Sequence, residues 1–141
     1  QMVNRCRYQG YEEAYRKGKR KLNQDLVYTD LSSRAMVEKA VEELKKSGVE
    51  CILCQDDYIC DEVVRKLARM GVRIPDQMKV ASCHYSRILE NYPVTITSLK
   101  FNITELGRRS CQVLLDMIHG KTVPDKTLLD YEIILKESTK G

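Results

Sequence analysis

Residues 50–83 have the sequence ECILCQDDYICDEVVRKLARMGVRIPDQMKVASC, and this stretch decides the fold. It begins with a short apolar run at 50–54 and ends with another at 78–83. Between them, apolar residues recur over 58–70 at the three- and four-residue spacing of an amphipathic helix. Short strands that alternate with helices of about ten to fifteen residues are typical of crossover units. The stretch therefore predicts an α/β fold with a mostly parallel sheet.

The flanking sequence continues the alternation. Upstream it predicts a helix over 4–21, a strand over 25–30, and a helix that starts at Ser32 or Ser33 and stops at Ser47-Gly48. Downstream it predicts, in order, one or two helical turns over 85–91, a strand over 94–99, a helix between the cap Asn102 and Gly120, and a strand over 127–135. We expect a single α/β domain over residues 1–141, a three-layer sandwich of helix, sheet and helix.

Composition places the chain among ordinary globular proteins. It is 43% hydrophobic and 31% charged, with a net charge of +4. That charge is too small to indicate nucleic-acid binding by itself. No apolar stretch of the sequence approaches the roughly 20 residues that a membrane-spanning helix needs, so we expect no membrane partner.

The cysteines favour a reducing compartment. Most of the six fall in predicted strands or on apolar helix faces, where cysteine acts as a small buried hydrophobe. We therefore expect reduced thiols and a cytoplasmic location. Cys51, Cys54 and Cys60 offer zinc as an alternative, but Cys51 and Cys54 point to opposite faces of a strand. We expect no metal site.

Polar residues follow two of the predicted parallel strands, and ligands of open parallel sheets bind at that edge. Gln55, Asp56 and Asp57 follow the first strand, and His84 follows the second. Asp56 and Asp57 could form a metal or acid pair, or could simply favour the positive end of a helix dipole. His84 could bind a ligand or only end a strand. No nucleophile elbow, phosphate loop or dinucleotide fingerprint is present in the sequence, so we expect neither an enzyme nor a cofactor.

Taken together, these segments resemble the effector-binding domain of the LacI/GalR family of bacterial transcriptional regulators. The segments that carry the resemblance keep the family's order and spacing, and they are Arg7-Tyr8-Gln9-Gly10-Tyr11, Gln55-Asp56, Gly71–Gln77, Pro93–Leu99, Leu106–Ser110 with Gly120, and Ile134–Thr139.

The resemblance implies a ligand site made of Arg7, Gln55, Asp56 and His84. Two of these residues depart from the family pattern: Gln55 replaces an Asn, and His84 stands where a sugar-binding carboxylate is common. Because imidazole titrates near neutrality, we expect ligand binding to depend on pH and an acidic or phosphorylated sugar to be a candidate effector.

The resemblance also implies the partners and the extent of the chain. The function expected is binding of a small-molecule effector, a sugar or sugar derivative, together with homodimerisation. DNA binding is expected only through an N-terminal headpiece that this chain lacks, and we expect the chain to be the second lobe of a longer regulator. A periplasmic-type sugar-binding protein of the same fold is the alternative, and a small hydrolase that uses Asp56 and His84 is a third.

The dimer contact is expected on three neighbouring segments, Ser33–Leu44, Asp61–Ala68 and Arg87–Tyr92. Their apolar residues exceed what one helix face needs for its own core, and those residues are Met36, Val64, Ile88, Leu89 and Tyr92.

Overall fold

Four α-helices and four strands lie within residues 2–140, which are the residues that the computed structural model describes. Gln1 and Gly141, the two ends of the predicted 1–141 domain, lie outside them. The helices are α1 (Met2–Lys17), α2 (Arg34–Lys46), α3 (Asp57–Arg69) and α4 (Ile103–Ile118), and the strands are β1 (Cys51–Cys54), β2 (Lys79–Ser82), β3 (Thr97–Phe101) and β4 (Tyr131–Ile134). Short 3-10 turns lie at Gln24–Leu26, Arg87–Glu90 and Glu137–Thr139.

The four strands form one sheet in the order β1-β2-β3-β4. β1, β2 and β3 are parallel, and β4 runs antiparallel to β3. β2 pairs only with Thr97 and Ser98 of β3, whereas β4 pairs with Ser98 to Phe101. The β3–β4 ribbon therefore extends past the end of β2. The predicted mixed α/β fold with a mostly parallel sheet is confirmed.

The core lies between the sheet and α3. Ile52, Cys54 and Val80 point from β1 and β2 towards this helix, which buries Cys60, Val63, Val64 and Leu67. α2 packs on the outside of α3 and buries Val37, Ala40 and Val41. Cys51 is exposed while Cys54 is 2% exposed, so the two thiols point to opposite faces as the strand geometry predicts.

α1 lies beside the other face of the sheet, which stays largely open because Cys51 is exposed and Leu53 is 49% exposed. Burial raises the pKa of Tyr11 to about 12, and the Tyr15 hydroxyl and the Cys51 thiol add to the rise. An effect of Cys51 on Tyr11 places this helix beside the face from which Cys51 projects. Helices therefore lie on both sides of the sheet, as predicted, but α3 buries its face while α1 leaves the other largely exposed. Within residues 2–140, no helix combines the length and the apolar character that crossing a membrane requires.

α4 buries none of its residues. Its apolar side chains are half or more exposed, and they are Ile103, Leu106, Leu114, Leu115, Met117 and Ile118. This helix follows the part of β3 that extends beyond β2, so it lies outside the layers that form the core. Leu128, at 79% exposed, continues the apolar surface towards β4.

The predicted strand over 25–30 is wrong. Asn23 caps a 3-10 turn there by accepting a hydrogen bond from the amide of Asp25, and Asp30 adopts a positive φ of 57°. Both features bend the backbone, and the described part of the sheet has β1 as its outer strand on that side. A run of β-forming residues therefore remains an irregular segment.

The strand predicted over 94–99 begins later, at Thr97. The C-terminal turn engages the backbone just before β3 and also the amide of Thr97, the first residue of the strand. The amide of Ser138 donates to the Thr95 carbonyl at 3.0 Å, and the Ser138 hydroxyl accepts from the Thr97 amide at 2.9 Å. The same hydroxyl donates to the Val80 carbonyl at 2.6 Å, which ties the C-terminal turn to β2. The last strand is likewise shorter than predicted, at Tyr131–Ile134.

Two of the residues assigned to a dimer contact belong to the core. Val64 is 6% exposed and Leu89 is 3% exposed, because the turn at Arg87–Glu90 packs on α3 and inserts Leu89 there. Their assignment to a free surface is therefore wrong. Met36 and Ile88 are 43% and 44% exposed, and Tyr92 is half-buried with its hydroxyl bonded to Asp61.

Candidate functional site

The candidate site is the edge of the sheet where β1 and β2 end. The amide of Cys83 donates to the Cys54 carbonyl at 2.9 Å, so the two strands stay paired to their last residues. Gln55 follows β1 as an exposed residue, and His84 follows β2 with its side chain 34% exposed. The chain connections of a parallel sheet bring these residues to one edge.

Asp56 and Asp57 have different tasks at this edge. Asp56 is the N-cap of α3, and its carboxylate accepts a hydrogen bond from the Ile59 amide at 2.9 Å. Asp57 is the first residue of the helix, and its Oδ1 lies 3.3 Å from Nδ1 of His84. Burial raises the pKa of Asp57, but hydrogen bonds from the Ser86 hydroxyl and a backbone amide, with the charge of His84, outweigh burial and lower it. Asp57 is thus held as a carboxylate against the imidazole.

His84 is fixed from two further directions. The Ser82 hydroxyl donates to the His84 carbonyl at 2.8 Å and accepts from its amide at 3.2 Å, so the turn after β2 is closed. The imidazole stacks on Phe101 of β3, with ring centroids 6.4 Å apart and planes 25° from parallel. The ring is therefore in contact with both the start of α3 and the end of β3.

Arg7 reaches the same edge from α1. Burial raises the pKa of Cys83, the positive charge of Arg7 opposes that rise, and the negative charge of Asp56 adds to it. Arg7 and Asp56 are therefore both near Cys83, the residue before His84. Arg7 and Asp56 thus lie within electrostatic range of the residue before His84, and the convergence of Arg7, Asp56 and His84 on one ligand stays a prediction.

A cavity of about 590 Å³ opens between His84 and the β3–β4 ribbon. Its lining consists of His84, Tyr85 and the segments 100–104 and 130–132. This volume is within the usual range for small-molecule sites. Tyr85 is held at the rim because its hydroxyl donates to Glu90 and the ammonium of Lys136 lies 4.5 Å above its ring.

The cavity and the predicted residue set share only His84. Arg7, Gln55 and Asp56 lie at the same sheet edge but do not line the cavity. Sequence reasoning missed Asp57 as a contact of His84 and missed Phe101 altogether. The position of Asp57 could have indicated this contact, since Asp57 directly follows a helix cap and the next strand ends beside it. The pairing of Phe101 with His84 depends on how far β3 extends, which the sequence does not show.

The side chains of the described residues include no group of three or more His, Cys, Asp or Glu arranged to hold a metal ion. All six cysteines are free thiols, of which Cys54 and Cys60 are buried. Hydrogen bonding and ionic contact, with ring stacking, are the interactions that this site offers to a ligand.

A family model described as the periplasmic binding protein-like domain matches residues 2–139. The chain belongs to this family. The periplasmic binding protein-like fold accounts for the position of the site, at the carboxyl ends of parallel strands and beside a ribbon that leaves the core.

Relatives of this periplasmic binding protein-like chain are transcriptional regulators by name. The HTH-type transcriptional regulator CelR of Thermobifida fusca is 27% identical over 135 residues, which cover 94% of this chain and 40% of CelR. The HTH-type transcriptional repressor PurR of Haemophilus influenzae (strain PittEE) is 27% identical over 157 aligned residues, covering 97% of this chain and 43% of PurR. The chain thus spans about two fifths of the length of these regulators, and the resemblance to the LacI/GalR family is confirmed.

Solved structures share the fold. The transcription regulator CcpA of Lactococcus lactis matches with a TM-score of 0.87 at 24% identity, over 97% of this chain and 51% of CcpA, and at that identity the match establishes the fold alone. A complex of the transcriptional regulator CelR with cellobiose matches with a TM-score of 0.79 at 26% identity, over 94% of this chain and 41% of that one.

Proposed function

We propose that this chain is an effector-binding and dimerisation lobe of a bacterial transcriptional regulator and that its effector is a sugar or sugar derivative. The observation that carries the proposal is the cavity at the carboxyl ends of the strands, where His84 is held by Asp57 and Phe101. Aromatic surface beside ionisable and amide side chains suits a ligand with apolar ring faces and hydroxyl groups.

The relatives favour a regulator over a periplasmic sugar-binding protein. CelR and PurR both align along more than nine tenths of this chain, and both are named as helix-turn-helix type proteins. A regulator acts on DNA, so we place the protein in the cytoplasm. We assign DNA contact to the part of such regulators that this chain does not span, and we assign no catalytic reaction to Asp56 or His84.

The exposed α4 supports the assignment of residues 1–141 to one lobe with segments that belong against another. At least half of the surface of Leu106, Leu114, Leu115 and Met117 on this helix is exposed to water. Large contiguous apolar surfaces of this kind mark interaction sites. In a regulator of more than twice this length, the remaining residues can cover that surface. Effector binding between two lobes would then act across the β3–β4 ribbon.

We assign the predicted residues as follows within the site. Arg7 supplies a charged donor from α1, and Gln55 supplies an exposed amide after β1. The Asp56 carboxylate caps α3 with one oxygen, and we assign its other oxygen to the ligand at the edge of the sheet. His84 faces the cavity and is the residue whose protonation changes the character of the site.

Isothermal titration calorimetry of the intact regulator tests the proposal. Cellobiose, other neutral disaccharides and their acidic or phosphorylated analogues form the panel, measured between about pH 5.5 and pH 8. His84→Ala should weaken binding of whichever sugar binds, and His119→Ala on the exposed end of α4 should not. Absence of binding across the panel would contradict sugar as the effector class.

The pH dependence of binding tests the role of His84 in particular. Protonation of the imidazole favours an anionic group on the ligand, so the affinity for an acidic sugar should rise towards pH 5.5. The charged and titratable groups that face the ring or line its cavity are Asp57, Tyr85, Lys100, Asp130, Tyr131 and Glu132. An affinity that stays constant across the range for every bound sugar would rule out a role for His84.

A further inference from the structure

Asp57 is fixed against one nitrogen of the His84 ring. Its Oδ1 lies 3.3 Å from Nδ1, and both side chains are partly buried, at 20% and 34% exposed. The position of the carboxylate is set by the start of α3, because the preceding residue, Asp56, caps the helix through the Ile59 amide. The oxygen that faces Nδ1 is therefore part of a rigid element.

A neutral imidazole carries its proton on one nitrogen and a lone pair on the other. If the lone pair were on Nδ1, it would face a negatively charged oxygen at 3.3 Å, which is repulsive. A proton on Nδ1 turns the same contact into an attraction. Asp57 therefore favours the form in which Nδ1 is protonated and Nε2 carries the lone pair.

Phe101 lies along one face of the imidazole, with ring centroids 6.4 Å apart. The imidazole plane lies 25° from that of Phe101, so β3 supports one face of the ring. Within that plane, a half-turn of the ring would exchange its two edges, and the Asp57 contact selects between them. None of the described side chains forms a hydrogen bond with Nε2, and His84 lines the cavity.

We propose that Asp57 is a positioning residue that keeps the proton of neutral His84 on Nδ1, so that Nε2 accepts a hydrogen bond from a hydroxyl group of the effector. This inference rests on the proposed effector-binding function and specifies its chemistry. An imidazole acceptor at this position adds no third negative charge beside Asp56 and Asp57. At low pH the same nitrogen becomes a donor, which suits an anionic ligand instead.

Nitrogen NMR of the histidine side chains tests the proposal in the absence of any ligand. The chain has only two histidines, and His119 is exposed at the end of α4. In ¹⁵N-histidine-labelled protein at about pH 8.5, where an ordinary imidazole is neutral, long-range ¹H–¹⁵N correlations distinguish the two tautomers. We expect His84 to be protonated at Nδ1 and His119 to show the Nε2-protonated form that free imidazole side chains prefer.

Two variants show whether Asp57 is the cause. Asp57→Ala should return His84 to the Nε2-protonated form, and Asp57→Asn, which keeps an oxygen but loses the charge, should give a mixture. His119 should be unchanged in both, and far-ultraviolet circular dichroism reports that each variant is folded. If Asp57→Ala unfolds the chain, Asp57→Asn alone decides, and a His84 spectrum identical to wild type would overturn the proposal.

Two other results would also overturn it: a wild-type His84 protonated at Nε2, and a tautomer that does not respond to Asp57→Ala. Neither of these two results would contradict the proposed effector-binding function, provided that a sugar binds in the calorimetric titration. Correct tautomers without binding of any sugar in the calorimetric panel would contradict the function and not the positioning role of Asp57.

Discussion

At the scale of single residues, the site combines groups from three layers around the ends of β1 and β2. Arg7 comes from α1 on one face of the sheet, Asp57 from α3 on the other, and His84 from the sheet itself. Each is placed by a different local rule: a helix face, a helix N-terminus and a strand end. The site therefore depends on the whole packing of this edge.

Arg7 is the charged donor whose loss should be easiest to measure. Arg7→Ala in the intact regulator should weaken effector binding by about 1.5–3 kcal/mol, the usual worth of a hydrogen bond to a charged group. Calorimetric titration measures the change. Arg5→Ala is a matched control, because Arg5 lies two residues earlier on α1 and is exposed. Equal affinities for Arg7→Ala and the control would exclude Arg7 from the site.

Ser138 is the residue on which the attachment of the C-terminal turn depends. It is fully buried, and its hydroxyl serves the Val80 carbonyl and the Thr97 amide together. Ser138→Ala leaves both backbone groups buried without that partner, at a cost of about 1–3 kcal/mol each. We expect the free energy of unfolding to fall by at least about 2 kcal/mol.

Urea denaturation followed by circular dichroism measures the loss. Ser110→Ala is the comparison, since the Ser110 hydroxyl is exposed on α4 and bonds only to the Leu106 carbonyl of its own helix. A loss in Ser138→Ala no larger than in Ser110→Ala would show that the buried hydroxyl does not secure the turn.

At the scale of elements, local signals predict the helix ends well. Ser33 caps α2 by accepting from the Met36 amide, and Asn102 caps α4 by accepting from the Glu105 amide at 3.0 Å. Asn102 and Glu105 have the spacing of a capping box, but only the Asn102 half forms, because the Glu105 carboxylate binds arginines instead. It binds Arg108 through two hydrogen bonds of 2.6 and 2.7 Å and Arg109 through one of 2.9 Å.

These arginine contacts make α4 sensitive to acid. Hydrogen bonds from Arg108 and then Arg109 lower the pKa of Glu105 from 4.5 to about 2. A carboxylate with a lowered pKa stabilises the folded state above its unfolded pKa and loses that effect as pH falls through its folded pKa. The difference in unfolding free energy between wild type and Glu105→Gln should therefore be constant above about pH 5 and should shrink between about pH 4.5 and pH 2.

Denaturation at a series of pH values gives this difference directly. Glu12→Gln is the control, because Glu12 is exposed on α1 and forms no ion pair with the described residues. A Glu105→Gln difference that does not change with acid, or that matches the control, would contradict the assignment of the lowered pKa to this cluster.

Local sequence signals do not predict elements whose position depends on residues far away in the chain. Residues 25–30 have the composition of a strand, but Asn23 and Asp30 bend the backbone and the adjacent sheet edge is β1. β3 starts at Thr97 because the amide of Ser138, far along the chain, donates to the Thr95 carbonyl just before the strand. Such contacts follow from the tertiary fold, and no window of sequence contains both partners.

At the scale of the whole molecule, the alternation of strands and helices over 50–83 was enough to predict the mostly parallel sheet. The ligand site at its edge stays a prediction. The same periodicity failed to distinguish a covered apolar face from an uncovered one. α3 and α4 both carry a stripe of apolar residues, yet α3 buries four of them and α4 buries none. Periodicity gives the face of a helix, whereas its burial depends on which other residues lie opposite.

Association of two copies is the property of the whole molecule that remains to be measured. The surface proposed for it consists of α2 and the turn at Arg87–Glu90, which both pack on α3 and expose Met36 and Ile88. A two-fold axis through such a surface would bring equivalent apolar residues together. We expect the protein to be a homodimer at tens of micromolar and Met36→Glu with Ile88→Glu to shift it towards monomer, because each charge would be buried without a partner.

Sedimentation velocity across a concentration series measures this shift, and Leu128→Glu is its control. Leu128 is 79% exposed, more than Met36 or Ile88, and it lies before β4 on the apolar surface that continues from α4. If nonspecific contact between apolar surfaces caused association, Leu128→Glu would weaken the dimer most, because Leu128 is more exposed than Met36 or Ile88. If the α2 surface is the interface, Leu128→Glu should leave the dimer intact. A wild-type monomer at tens of micromolar would contradict the dimer itself. A dimer lost only in Leu128→Glu would contradict the proposed interface and assign association to the surface beside α4.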